Sequence, residues 1–528
     1  MVVIGGGITG AAVSYDAARR GLSVALLEKK DFGWATSAAT SKLIHGGLRY
    51  LQNYEFGLVR ESLKERRVLE NIAPNLVHPI PFLVPGYDDP KRNKWMLRAG
   101  LTLYDLLAYD KGSTWDKSKR VAHHRWVSRE AVRRLEPQVK TAGMTGGSIY
   151  YDCQCLNPER LTLAFVKSAV KRGAKVANYA GVTGFRSGRD RRLEGVQVED
   201  RLSGRNLEVR GALFVNCGGP WADILLGMVR QGGPAHSIKR SEGIHLLSRK
   251  PATRQAVVAW TPSGRHLFII PWRGYRLIGT TDKEYVGSPD DYRVTRESIE
   301  ELIRDTNASI GDGSLQYGDV VFAYGGLRPL VDTAASGTYE SSRRYEIYDH
   351  ADEGLEGLIT VEGGKYTTSR RLAENVLRLV ERKLGRQPGK TRTDQEYLAG
   401  CEIRDLEAFE KELAAEFGDF DERTLAFVGR NYGTESPAVF EIARREARFG
   451  EKLNPEGQLL AAAVYAVREE MARTLNDILF RRAGLGNTGH PGQEVLRRVA
   501  EVAAAELGWD RARTEEEISG AEGALRLP

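Results

Sequence analysis

The first apolar run of the chain is too short for a helix. Val2, Val3 and Ile4 are continuous and apolar, as a strand buried on both faces requires. Ala11, Ala12, Tyr15 and Ala18 then recur at helical spacing, and Gly21 ends the helix they predict. Leu22 to Leu27 predict a second strand, closed by Glu28. The same strand and helix signals return twice. "NPERLTLAFVKSAVKRGAKVANYAGVTGF" predicts an N-capped helix and a strand, and "GALFVNCGG" a buried strand. "LITVEGGKYTTSRRLAENVLRLVERKL" predicts a strand, a Gly-Gly turn and a helix.

Other stretches follow different rules. "HLFIIPWRGYRLIGTTD" predicts two short strands joined by an Arg-Gly turn, which points to an antiparallel sheet. After residue 385 the pattern becomes helical. "IRDLEAFEKELAAEF", "PEGQLLAAAVYAVREEMARTLNDILFRRAGLG" and "QEVLRRVAEVAAAELGW" predict amphipathic helices. The expected class is α/β: a discontinuous Rossmann-like domain, an antiparallel-sheet domain and an all-helical C-terminal domain. Residues 1–75, 150–230 and 351–385 are assigned to the first. Residues 76–149 and 231–350 are assigned to the second, and 386–528 to the third.

A chain of 528 residues exceeds what one core holds, which agrees with that division. The formal net charge of +7 favours anionic partners. The basic residues are scattered, so nucleic acid is not expected. Cys153, Cys155, Cys217 and Cys401 have neither zinc nor thioredoxin spacing, and a reduced setting is expected. No stretch approaches the roughly 18 apolar residues of a spanning helix.

Gly5, Gly7 and Gly10 give G-x-G-x-x-G between the first strand and its helix. The first glycine permits the turn and the second lets backbone approach a pyrophosphate. The third lets helix and strand pack closely. Glu28 stands where a carboxylate accepts from ribose hydroxyls and repels a 2′-phosphate. Residues 40 to 50, "TSKLIHGGLRY", then crowd Lys42, His45, Arg49 and Tyr50 around Gly46-Gly47, as a loop touching two anionic ligands would.

The run from Gly5 to Leu51 closely resembles the FAD-dependent glycerol-3-phosphate dehydrogenases, within the glycine oxidase and D-amino-acid oxidase type of flavoprotein. "NCGGPWAD", "IIPWRGYRLIGTTDKEY", "YGGLRPL" and "VEGGKYTTSRRLAE" extend the resemblance over most of residues 1 to 380. The resemblance implies bound FAD, oxidation of glycerol 3-phosphate and transfer of electrons to a quinone. It implies that Gly5, Gly7, Gly10, Glu28, Thr36, Ser37, Ser41, Lys42, Leu43, His45, Gly46, Gly47, Gly218, Gly364, Lys365 and Thr367 hold FAD. Arg328 is the expected phosphate contact, with Arg343 and Arg49 as further candidates. His245 is the expected proton acceptor, with His45 as its competitor. Lys365 would tune the flavin, and Asp282 would orient a base or a substrate hydroxyl.

Two alternatives stay open: an oxidase that uses dioxygen, and a non-catalytic flavoprotein that binds a phosphorylated metabolite. Oxidase members carry an inserted segment that has no obvious counterpart here. "KRNKWMLRAGLTLYDLLAYD", 91–110, is expected to lie on an anionic membrane surface, which gives a cytoplasmic protein held at the inner face of the cell membrane. The oligomeric state is open, a homodimer among the options.

Overall fold

The computed structural model describes residues 1–188, 191–230, 238–311, 313–331 and 344–528. Val2–Ile4 is the centre of a six-stranded sheet. In order across the sheet the strands are Tyr345–Asp349, Leu358–Gly363, Phe214–Asn216, Val2–Ile4, Ala25–Leu27 and Lys175–Ala177. All neighbours are parallel except Tyr345–Asp349, which pairs antiparallel with Leu358–Gly363. Helices Ile8–Arg19, Pro158–Lys171 and Ser369–Lys383 cover one face. The other face packs on helix Ala222–Arg230 and on a three-stranded antiparallel sheet, Ala180–Ser187, Leu193–Asp200 and Asn206–Arg210. Both faces are covered, which is why Val2, Val3 and Ile4 can all be apolar.

The second domain is built on a larger sheet. Val77–Tyr87 pairs antiparallel with Met144–Cys155 and parallel with Ala256–Trp260. His266–Trp272 and Tyr275–Gly279 form the expected hairpin, and Arg273 and Gly274 turn it with φ of 49° and 80°. Lys239–Ser248 pairs antiparallel with both Tyr275–Gly279 and Val320–Leu330. Sheet membership departs from the expected boundaries. Leu43–Ile44 and the whole of Met144–Cys155 belong to this sheet, whereas Tyr345–Asp349 belongs to the nucleotide sheet. Leu43–Ile44 leaves the nucleotide domain to pair with Met144–Cys155, so the chain crosses between the sheets within a few residues and sequence boundaries cannot separate them cleanly.

The C-terminal domain is helical, with its own apolar core. Two details differ from expectation. Asn157 stands at the helix N-cap, but its side chain makes no cap and donates instead to Asn431 of the helical domain. The stretch 455–486 is not one amphipathic helix. Helix Ala461–Arg468 is buried nearly all round, Met471 breaks it at φ 55°, and a π-helical turn covers Asp477–Arg482. That turn lies against the nucleotide domain, where its arginines find buried partners.

Gly10 fixes the first helix against the first strand, since a methyl added there would meet the Gly5 carbonyl oxygen at 1.9 Å. Gly10→Ala should lower the stability of the apoprotein by about 1–3 kcal/mol. Gly57→Ala, where nothing lies within 4 Å, should not lower it. Chemical unfolding of the two variants checks this, and equal midpoints would contradict it.

Candidate active site and cofactor cleft

A cleft of about 450 Å³ runs between the two sheets. One end is the glycine turn. Gly5, with φ 104°, brings its Cα against the Cys217 carbonyl, where any Cβ would fall at 2.6 Å. Glu28 sits at the same end, with its carboxylate accepting from the Gly6 amide at 2.6 Å and the Lys30 amide at 2.8 Å. Burial raises the Glu28 pKa, and the two amides oppose that shift. Ser37 Oγ accepts from the Ile8 amide at 2.9 Å and caps the helix that Gly7 begins. Thr36 donates to the Leu327 carbonyl at 2.6 Å, which ties this end to the second sheet.

The structure brings most of the expected cofactor residues to the cleft wall. Gly5, Gly7, Glu28, Thr36 and Ser37 line one end, and Ser41, Leu43, His45 and Gly218 the middle. Gly364, Lys365 and Thr367 line the far wall. Four are not on it. Gly10 serves helix packing, as its spacing implied. The Lys42 ammonium is buried and donates to Glu159 Oε1 at 2.6 Å, so it holds the framework instead of reaching a ligand. Gly46 makes room for Tyr104 and Leu63, whose atoms an added Cβ would meet at 2.3 and 2.5 Å. Gly47, at φ 78°, is closed over by the Tyr50 ring.

The expected catalytic residues fall into two groups. In one, His245 Nε2 lies 2.8 Å from Ser41 Oγ, and its ring stacks on Tyr324 at 5.0 Å. Its Nδ1 has no hydrogen-bond partner among the described residues. Arg328 donates to Thr280 Oγ1 at 2.8 Å and to the Thr281 carbonyl at 3.2 Å, with Asp282 at 4.0 Å. Asp282 accepts from Ser241 at 2.6 Å. Burial, then the charges of Arg328 and Lys42, push the His245 pKa well below its ordinary value.

The second group is Arg49, Tyr50, His45 and Lys365. Arg49 donates to the Tyr50 hydroxyl at 3.1 Å. Lys365 donates to Ser62 Oγ at 2.5 Å and lies over the Tyr50 ring at 4.7 Å. Burial pulls the Lys365 pKa down to about 7 and the His45 pKa down to about 4. Arg343 lies outside the described residues.

Other residues of the cleft carried no singled-out signal. Gly243 leaves space for Arg328, whose Nη2 an added Cβ would meet at 1.9 Å. Gly279 does the same for His245, at 2.3 Å. By contrast, Gly325 and Gly326 of "YGGLRPL" admit Tyr292 and Ala39, so they seat neighbouring chain and do not open the way to substrate. Trp34 and Trp221, 5.4 Å apart, wall the nucleotide end, and His266 lines the other. A lone aromatic in a loop has no periodicity, so only the assembled fold marks it.

Comparison with known proteins agrees with this geometry. The family model for FAD dependent oxidoreductases matches residues 1–370, and that for the C-terminal domain of alpha-glycerophosphate oxidase matches 391–514. A glycerol-3-phosphate dehydrogenase from Synechocystis is 34% identical, over 98% of this chain and 94% of its own. An aerobic glycerol-3-phosphate dehydrogenase from Staphylococcus aureus is 32% identical, over 92% and 86%. The crystal structure of the glycerol-3-phosphate dehydrogenase from Bacillus halodurans complexed with FAD is 27% identical. It superimposes with a TM-score of 0.78 over 99% of this chain and 94% of that one.

The lowered Lys365 pKa gives a pH test. Below about 7 the amine is charged, and above it the amine is neutral and nucleophilic. In the apoprotein, acylation of Lys365 should therefore rise through pH 7, well below the ordinary lysine value of 10.5. Peptide mapping of reagent uptake against pH checks this, and a rise near 10 would contradict it.

Proposed function

We propose, from the premise that the chain belongs to the FAD-dependent glycerol-3-phosphate dehydrogenases, that it oxidises sn-glycerol 3-phosphate to dihydroxyacetone phosphate and passes the electrons to a quinone. FAD is its cofactor. The observation that carries the reading is one continuous cleft, with a pyrophosphate turn at one end and Arg49, Arg328, Lys365 and neutral histidines at the other. When bound, FAD supplies the hydride acceptor. Gly5, Gly7 and Glu28 would hold its nucleotide end, and Gly364, Lys365 and Thr367 its ring end.

The residues of this chain supply the rest. Arg328 is fixed by carbonyls and Thr280, so its planar fork is oriented before a phosphate arrives. Arg49 gives a second cation. His245 is neutral at pH 7 and able to take the alcohol proton, and Ser41 fixes its ring. Binding of a dianion beside Arg328 offsets the charge that depresses His245, and so raises its basicity. Lys365, when charged, offsets the negative charge that hydride transfer brings to its end of the cleft.

An exposed apolar patch supports the quinone. Helix Lys94–Leu107 buries Leu101 and Tyr104, while Trp95 and Leu106 are 71% and 66% exposed. Tyr109, just beyond the helix, is also exposed, and Arg60 lies over its ring at 4.2 Å. Among the described residues no helix is long and apolar enough to cross a membrane. The patch suits a peripheral seat on an anionic bilayer, where quinones dissolve. On this reading the protein works at the inner face of the cell membrane.

Two outcomes are expected. Arg328→Lys keeps the charge and loses the fork, so kcat/KM for glycerol 3-phosphate should fall roughly 30- to 1000-fold, with little change for glycerol. Equal losses for both substrates in a dye-linked assay would remove Arg328 as the phosphate contact. Trp95→Ser with Leu106→Ser should weaken binding to anionic liposomes and slow turnover with a lipid-soluble quinone, while dye-linked turnover persists. Faster turnover with dioxygen than with quinone would favour the oxidase.

A further inference from the structure

The loop that follows Glu28 is held from outside its own domain. Asp31 is fully buried, and its carboxylate accepts from Arg482 Nη1 and Nη2, both at 2.8 Å, and from Arg481 Nε at 2.6 Å. Both arginines come from the π-helical turn of the C-terminal helical domain. Asn178 adds a fourth donor to Asp31 at 3.0 Å and also donates to the Met471 carbonyl. The arginines are themselves fixed. Arg481 donates to Asp477, and Arg482 Nε donates to the Glu470 carbonyl at 2.9 Å.

What Asp31 carries with it faces the cofactor. The next residue, Phe32, is buried against Gly6, where an added Cβ would meet its ring at 2.8 Å. The Gly33 amide donates to the Gly6 carbonyl at 2.9 Å. Trp34 then packs on Trp221, and Ser37 caps the first helix. The loop therefore sets the Gly5–Gly7 turn and the nucleotide end of the cleft. Asp31 is the point at which the helical domain grips it.

We infer that Arg481 and Arg482 of the helical domain are positioning residues for FAD: by holding Asp31 they fix the loop between Glu28 and Ser37 against the glycine turn. They touch no cofactor. A buried carboxylate with two-point partners is rigid, and breaking one side leaves a buried charge without its partner. Loop order and FAD affinity then rise and fall together. By reciprocity, FAD should in turn hold the π-turn closed.

The test uses the full chain, with FAD removed and added back. Arg482→Lys keeps the charge and loses the two-point contact. It should raise the FAD dissociation constant, read by quenching of flavin fluorescence, roughly ten-fold. Arg19→Lys is the control. Arg19, at the end of the first helix remote from the glycine turn, donates to Glu396 of the C-terminal region through Nε at 2.9 Å and Nη2 at 2.7 Å. It should leave the FAD constant unchanged even where it lowers the unfolding midpoint. If both variants shift FAD affinity equally, or if Arg482→Lys does not shift it, the inference fails and the contact is only a domain anchor. The wild type gives a second reading that does not depend on a variant folding. Adding FAD should slow hydrogen exchange at 471–483, and no slowing would overturn the proposal.

Discussion

A helix and a strand that touch with no side chain between them are what the rest of this structure depends on. Gly10 lies so close to the Gly5 carbonyl that one methyl group would overlap it. That contact aims the start of helix Ile8–Arg19, with its partial positive charge, into the cleft. It also sets the six-stranded sheet, because Val2–Ile4 pairs on both sides. Every other piece of the nucleotide domain arrives from a distant part of the chain and is fitted to this unit. The wall around it, Phe32 on Gly6 and Cys217 on Gly5, leaves no tolerance for a wider turn.

That unit was fully legible in the sequence, since strand, turn and helix lie within the first 28 residues. Its signals are local: an apolar run, glycines at fixed offsets, helical spacing and a terminal carboxylate. The Arg273-Gly274 hairpin was legible for the same reason. What was not legible depends on partners far along the chain. Lys42 and Glu159 are such a pair, and nothing near Lys42 shows that it is buried and already matched. Gly46 looked like a ligand contact but serves Tyr104. Gly243 and Gly279, which make room for Arg328 and His245, are single glycines in strands, where a bulge or a close approach is equally suggested. The stretch 455–486 was helical by its spacing, but Met471 at φ 55° breaks it, and the π-turn beyond sets its arginines on Asp31.

The buried charges sort by position. Framework cations meet carboxylates directly: Lys42 with Glu159, Arg66 with Asp152 at 2.7 Å, Arg370 with Glu65 at 2.6 Å. Such pairs contribute little net stability against apolar replacements, but they tolerate no loss of one partner. They fix where helices and loops stand. The cations of the cleft also meet neutral groups. Lys365 donates to a serine hydroxyl and Arg49 to a tyrosine hydroxyl, while Arg328 donates to carbonyls and a threonine with Asp282 at 4.0 Å.

Arg49, Arg328 and Lys365 line a cleft walled largely by buried side chains, and charge is felt strongly in such a low-dielectric setting. His45 and His245 cannot hold a proton there at pH 7, and Lys365 holds its own only partly. Burial is the larger cause of all three shifts, and an anion entering the cleft would oppose only the part that neighbouring cations add. On the proposed reading it would meet cations already held in place, and it would return some basicity to His245. A neutral polyol of the same shape would do neither. Phosphate binding and readiness to accept the alcohol proton are, on that reading, coupled through the same charges.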